Sequence, residues 1–289
     1  MLRQRLLTAF AFSAVPMILS VGCTQHSESM KTDSAKERPE DQQDSHSHAH
    51  DHAASNSVQL ILRSTPRDPA AGEPVKLDMM LHDSKGNMLK DFELNHDKIA
   101  HLILIREGLD EFAHLHPSVD SDGNLRETHT FSKAGKYYVY LDYKAKGQPP
   151  TTSQSELTIG GDSQPAEKLV PDTTGLARGD GLQARVTMRD SKEGSRVVSF
   201  QLQQDDQQPV RDLQIYLGAM GHLVVVSANG SDYVHAHPLT ESSADGKVEF
   251  EVHFPRPGIY KLWGQFQRSG QVYTLPTVLN ILERWDANR

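Results

Sequence analysis

His101-Leu102-Ile103-Leu104-Ile105, followed by Phe112-Ala113-His114-Leu115-His116-Pro117, decides how this chain is read, because the pattern occurs twice. The second copy is His222-Leu223-Val224-Val225-Val226, followed by Tyr233-Val234-His235-Ala236-His237-Pro238. In both copies the steps between histidines are thirteen residues and then two. An aliphatic run leads into a polar turn, an aromatic residue and His-x-His-Pro. Such self-similarity marks two copies of one structural unit, with three histidines belonging to each.

Placed on a hairpin centred on Gly108-Leu109, the first copy sets His101 opposite His116. His114, two residues from His116, then shares their face. In the second copy, centred on Asn229-Gly230, His222 opposes His237 and His235 shares their face. Directly opposed Cβ atoms lie about 4.5–5.5 Å apart, so three imidazoles can reach a common point. Three nitrogens at about 2.0–2.1 Å suit zinc, and copper also accepts imidazole. Met220 lies two residues before His222 and on its face if the strand extends that far. Its thioether would favour Cu(I) and make the second site the more selective; the matching place in the first copy is Ile99. His96 has the wrong parity for the first face. The alternatives to a metal site are structural histidines paired by hydrogen bonds, or a pH-responsive cluster. A one-residue slip of register would separate His101 from His114.

The flanking sequence reads as short strands between turns. Val58–Leu62, Val75–Leu81, Gly135–Tyr143 and Ser153–Ile159 are strands of the first unit. Val197–Leu202, Leu213–Leu217, Lys247–Phe254 and Pro257–Phe266 belong to the second. The fold class is all-β: two tandem immunoglobulin-like β-sandwich domains, residues 57–161 and 169–284.

Ahead of them, Arg3 and Arg5 precede the apolar run Leu6–Val21, the layout of an export signal. It ends in Ser20-Val21-Gly22-Cys23, an imperfect lipobox, so residues 1–22 read as a lipoprotein signal peptide and Cys23 as the lipidation site. An ordinary signal peptide with an incidental cysteine is the alternative. Cys23 is the only cysteine in 289 residues, which excludes a disulfide framework and a thiolate metal site. Residues 23–56 are polar, without apolar periodicity, and read as a disordered tether. Within it, His46, His48, His50 and His52 alternate with small or acidic residues and can wrap a metal ion without a preformed pocket. A net charge of −8 with no basic patch argues against a nucleic-acid partner.

The two histidine segments resemble those of bacterial secreted proteins and lipoproteins described as heavy-metal-associated or YtkA-like. That resemblance implies an envelope β-sandwich with a role in metal handling, and no established activity. The expectation is therefore an exported, lipid-anchored metal-binding protein of the bacterial cell envelope, facing the periplasm or the exterior. It would act as a copper or zinc chaperone, buffer or resistance factor, with a membrane contact through the anchor and a metal-transport or envelope protein as partner. A tandem interaction module with purely structural histidines is the other reading. No nucleophile elbow, phosphate loop or zincin motif is present, so an enzyme is not expected.

Overall fold

Among the described residues the named secondary-structure elements are all β-strands, from Gln59–Thr65 to Gln271–Ile281. The computed structural model describes residues 58–282, apart from 163, 164, 167, 192, 193, 205, 241 and 242. The expected signal peptide, Cys23 and the tether histidines His46, His48, His50 and His52 lie outside the described residues.

The first domain has one sheet of β1 (Gln59–Thr65), β2 (Pro74–His82), β7 (Leu125–Thr130) and β6 (Ser118–Val119), in that order. The second sheet is built on β8 (Gly135–Ala145). β4 (Ala100–Arg106) and β9 (Thr151–Ile159) pair with it, β3 (Phe92–Glu93) extends the β4 edge, and β5 (Phe112–Leu115) pairs with β4. The second domain repeats the plan. β10 (Leu176–Gly179), β11 (Leu182–Asp190), β12 (Arg196–Gln203) and β16 (Lys247–Val252) form one sheet. The other centres on β17 (Gly258–Arg268), with β13 (Leu213–Gln214), β14 (His222–Ser227), β15 (Tyr233–Ala236) and β18 (Gln271–Ile281).

Alternation explains each core. On β8, Tyr137, Val139, Leu141 and Tyr143 point inward, beside Ala100, Leu102 and Leu104 of β4 and Leu77 and Met79 of β2. On β17, Tyr260, Leu262 and Phe266 point inward to Phe200, Val248 and Phe250. Each fully buried side chain of this size is worth about 1.5–3 kcal/mol of transfer free energy. In both domains the first inward tyrosine of the central strand ties back to the chain four residues earlier. Tyr137 donates to the Lys133 carbonyl at 2.8 Å and Tyr260 to the Arg256 carbonyl at 2.9 Å. This tyrosine corner is a hallmark of immunoglobulin-like sandwiches.

β4 and β14 are buried on both faces, from Ala100 to Arg106 and from His222 to Ser227. One face is the core of its own sandwich; the other is covered by the other domain. Ile103, Ile105, Leu109 and Tyr140 of domain one form a single apolar cluster with Val224, Val226, Tyr233 and Trp263 of domain two. Phe112 stacks on Trp263 at 4.8 Å and Tyr140 on Tyr233 at 4.2 Å. The turns are held across the same interface. Tyr138 and Tyr140 donate to the Asn229 and Gly230 carbonyls, and Lys261 Nζ donates to the Leu109 carbonyl. Gly230 is required there: its φ is +72°, and a Cβ would lie 2.4 Å from the Tyr138 ring.

The predicted hairpin registers are the observed ones. Ile103 pairs with His114 and Leu102 with Leu115; Val224 pairs with His235 and Leu223 with Ala236. The histidines occupy the outward face of each hairpin sheet, continuous with Ile103 and Val224, and they meet at the domain interface.

Candidate metal centre

Each triad is assembled by one hairpin. His101, His114 and His116 offer one ligand nitrogen each, all within 4.8 Å of one another, and so do His222, His235 and His237. Either group could hold a metal ion. The two lie against each other, with His101 5.2 Å from His235 between ring centroids and His114 5.8 Å from His222.

Ring tautomers follow from what the outer nitrogens touch. His101 Nε2 lies 2.9 Å from the Asn95 carbonyl and His222 Nε2 lies 2.9 Å from the Tyr216 carbonyl. A carbonyl only accepts, so both Nε2 atoms carry the proton and both Nδ1 atoms carry a lone pair. His114 Nδ1 is 2.6 Å from Gln265 Oε1, whose amide nitrogen donates to Thr274. His235 Nδ1 is 2.8 Å from Asp142 Oδ2. These acceptors put the protons on Nδ1, leaving Nε2 of His114 and His235 with lone pairs when the rings are neutral. His101 Nδ1 then faces His114 Nε2 at 2.9 Å, and His222 Nδ1 faces His235 Nε2 at 3.3 Å. Nitrogen lone pairs so close repel one another unless a cation or a proton lies between them. Nε2 of His116 and of His237 is buried without a hydrogen-bond partner.

Burial favours the neutral form of five of the six rings. It lowers the pKa of His101, pushes His222 down to about 3 and His116 down to about 4, and pulls His114 and His237 down as well. Neighbouring histidines add to the effect at His114 and His237. Neutral imidazole is the form that binds metal.

The two turns ahead of β4 and β14 explain two departures from expectation. Asn95-His96-Asp97-Lys98 and Tyr216-Leu217-Gly218-Ala219 are equivalent tight turns whose two central residues have positive φ, the geometry of a type I′ turn. Strand alternation therefore does not carry back through them. Met220 is a correction: it packs in the domain-two core with Leu223, Val225 and Phe266, residues of the face opposite His222. The extended strand begins only at His222, so the parity rule does not reach Met220. His96, at φ 52°, stacks on His237 of the other domain at 3.6 Å.

Asp142 and Gln265 were not singled out from the sequence. They sit at matching places on β8 and β17, opposite His101 and His222. A signal existed: Tyr138, Tyr140 and Asp142 alternate on one face, and a carboxylate there is out of place unless something meets it.

Family matches cover residues 53–159 and 177–283, one for each domain, with a family described as a domain of unknown function (DUF8832). This chain belongs to that family. No curated protein matches it. Among solved structures it is similar to invasin, a bacterial integrin-binding protein, at 11% identity over 79% of this chain and 40% of that one, with a TM-score of 0.21. It is similar to a Ca2+-stabilised adhesin with which an Antarctic bacterium binds ice, at 10% identity over 79% of this chain and 49% of that one, TM-score 0.25. A two-domain fibronectin type III segment from chicken tenascin matches at 12% identity over 78% of this chain and 99% of that one, TM-score 0.22. The chain thus spans less than half the length of the first two. Scores this low carry no argument about function.

Proposed function

We propose that this chain is an exported, lipid-anchored metal-binding protein of the bacterial envelope, serving as a chaperone, buffer or resistance factor for zinc or copper. The observation that carries this reading is the set of lone pairs facing one another in each triad, their tautomers fixed by acceptors behind them. Metal-ligating histidines characteristically donate their other ring N–H to a carbonyl or carboxylate in this way. With Met220 in the core, each triad offers imidazole alone, and the argument for Cu(I) at the second site falls away. Zn(II) and Cu(II) suit such a donor set. The His46–His52 string would act as a collecting arm.

A structural reading has one observation in its favour. A second proton, on His235 Nε2, would let that ring bridge Asp142 and His222 Nδ1 without any ion, leaving a tandem module whose histidines cement the interface. That proton would leave Nε2 of His116 and His237 buried and unpartnered, whereas an ion held by each triad engages its third histidine.

The test uses the full chain with His46, His48, His50 and His52 replaced by serine. After chelation it is titrated with Zn(II) and with Cu(II) by calorimetry. Binding of two ions per chain is expected, lost when His114→Ala and His235→Ala are combined. A parent chain that takes up no ion would establish the structural reading.

A further inference from the structure

We propose that the two histidine centres are completed across the domain interface and are unequal: the His222–His235–His237 centre, backed by the Asp142 carboxylate of domain one, holds a divalent cation more tightly than the His101–His114–His116 centre, backed by the neutral Gln265 amide of domain two. This rests on the metal-binding reading and adds an order of filling to it.

The exchange is reciprocal. His114 of domain one donates to Gln265 of domain two, and His235 of domain two donates to Asp142 of domain one. Each domain supplies the backbone carbonyl behind its own first histidine, but the side chain behind its second histidine comes from the other domain. The acceptors differ in charge. Asp142 is 4% exposed and accepts from Tyr233 at 2.6 Å, from His235 at 2.8 Å and, on its other oxygen, from Thr152 at 2.6 Å. A buried carboxylate behind an imidazole raises the electron density on the coordinating nitrogen and attracts the cation through a medium that screens poorly. An amide oxygen orients its ring equally well but brings no net charge.

Spacing adds to the inequality. Ring centroids are 4.8–5.5 Å apart within the triads, and those of His101 and His114 lie 5.2–6.0 Å from those of His222 and His235. The six rings form one cluster, so an ion in the Asp142-backed centre repels the next. Asp142 and Gln265 act here as positioning residues: each works through a histidine.

The centres can be weighed separately in the full chain lacking the His46–His52 histidines. His116→Ala leaves the Asp142-backed centre and His237→Ala the Gln265-backed one. In Zn(II) calorimetry the first chain should bind at least about tenfold more tightly than the second. Adding Asp142→Asn to the first should weaken binding by about 10–100-fold, the usual range for such outer partners. Adding Gln265→Glu to the second should tighten it, a gain that misfolding cannot imitate. Equal affinities for the two single-centre chains, or affinities untouched by both acceptor changes, would overturn the proposal. A parent chain that binds no zinc is a different result: its zero stoichiometry removes the metal reading itself.

Discussion

The two hairpins carry the same three histidines in the same register, yet what surrounds them has diverged. His114 leans on an amide from the other domain; His235 leans on a carboxylate, to which Tyr233 also donates. His96 reaches from the domain-one turn to stack on His237, while its counterpart Leu217 brings no ring to the first triad. Domain one therefore contributes more to the centre of domain two than it receives. The comparison teaches where specialisation can occur after duplication. The ligand set is held by strand parity and resists change, whereas the groups behind it lie on other strands and are free to differ.

Breaking the two backing contacts should expose this difference most sharply. His235→Ala leaves Asp142 as a buried carboxylate without its imidazole, a loss of the kind that costs about 3–5 kcal/mol. His114→Ala leaves only an amide oxygen unpaired, about 1–3 kcal/mol. Urea unfolding of the metal-free variants measures both. Equal losses would mean that Asp142 and Gln265 are interchangeable supports and that the asymmetry has no energetic content.

A narrower cut removes single hydroxyls from the stacked pair at the interface. Tyr233→Phe deletes a bond to a carboxylate, worth about 1.5–3 kcal/mol, while Tyr140→Phe deletes a bond to the Gly230 carbonyl, worth about 0.5–1.5 kcal/mol. The ring stack survives both changes, so the difference in urea midpoint reports the acceptor alone.

How much of this was legible from the chain follows from the range over which each rule acts. Hairpin register is local: the turn and the thirteen-residue step placed Ile103 against His114 and Val224 against His235, as observed. Which face those residues line was not local. An alternating pattern tells inward from outward only when one face meets water, and here both are covered. The unbroken apolar run from Leu102 to Ile105 was itself the sign that a second body packs on the outside. Met220 was misplaced because a positive-φ turn interrupts the alternation just before it. Asp142 and Gln265 could not be paired with their histidines at all, since each lies on a different strand of a different domain.

Acid should act on both centres together. Burial holds His222 near 3 and His116 near 4 in the folded chain, against an ordinary value of 6.5. Between these limits the unfolded chain binds the extra protons. Stability is thus complete above about pH 6.5 and is lost as the pH falls toward 3. For the fully buried His222 the loss between pH 7.5 and 5.5 is about 1.4 kcal/mol. Thermal unfolding of the metal-free chain at those two pH values should show a lower midpoint at 5.5. A midpoint that does not fall would mean the rings are not held neutral.

The smallest effect probes His96, which belongs to neither triad but stacks on a member of one. His96→Leu copies the residue that domain two has in the equivalent turn, where Leu217 adopts φ 51° against 52° for His96. The backbone requirement is unchanged, and only the ring stacked on His237 is lost. Aromatic pairs of this kind contribute about 0.5–1.5 kcal/mol beyond their buried area, so a loss near the lower end is expected in urea unfolding. The ring does more than fill space if it also fixes the orientation of His237. In that case Zn(II) affinity should drop a few-fold in the chain carrying His116→Ala, which retains the His237 centre, and stay constant in the chain carrying His237→Ala, which lacks it. An equal drop in both chains would place the effect in the interface as a whole and would deny His96 any particular share in the second centre.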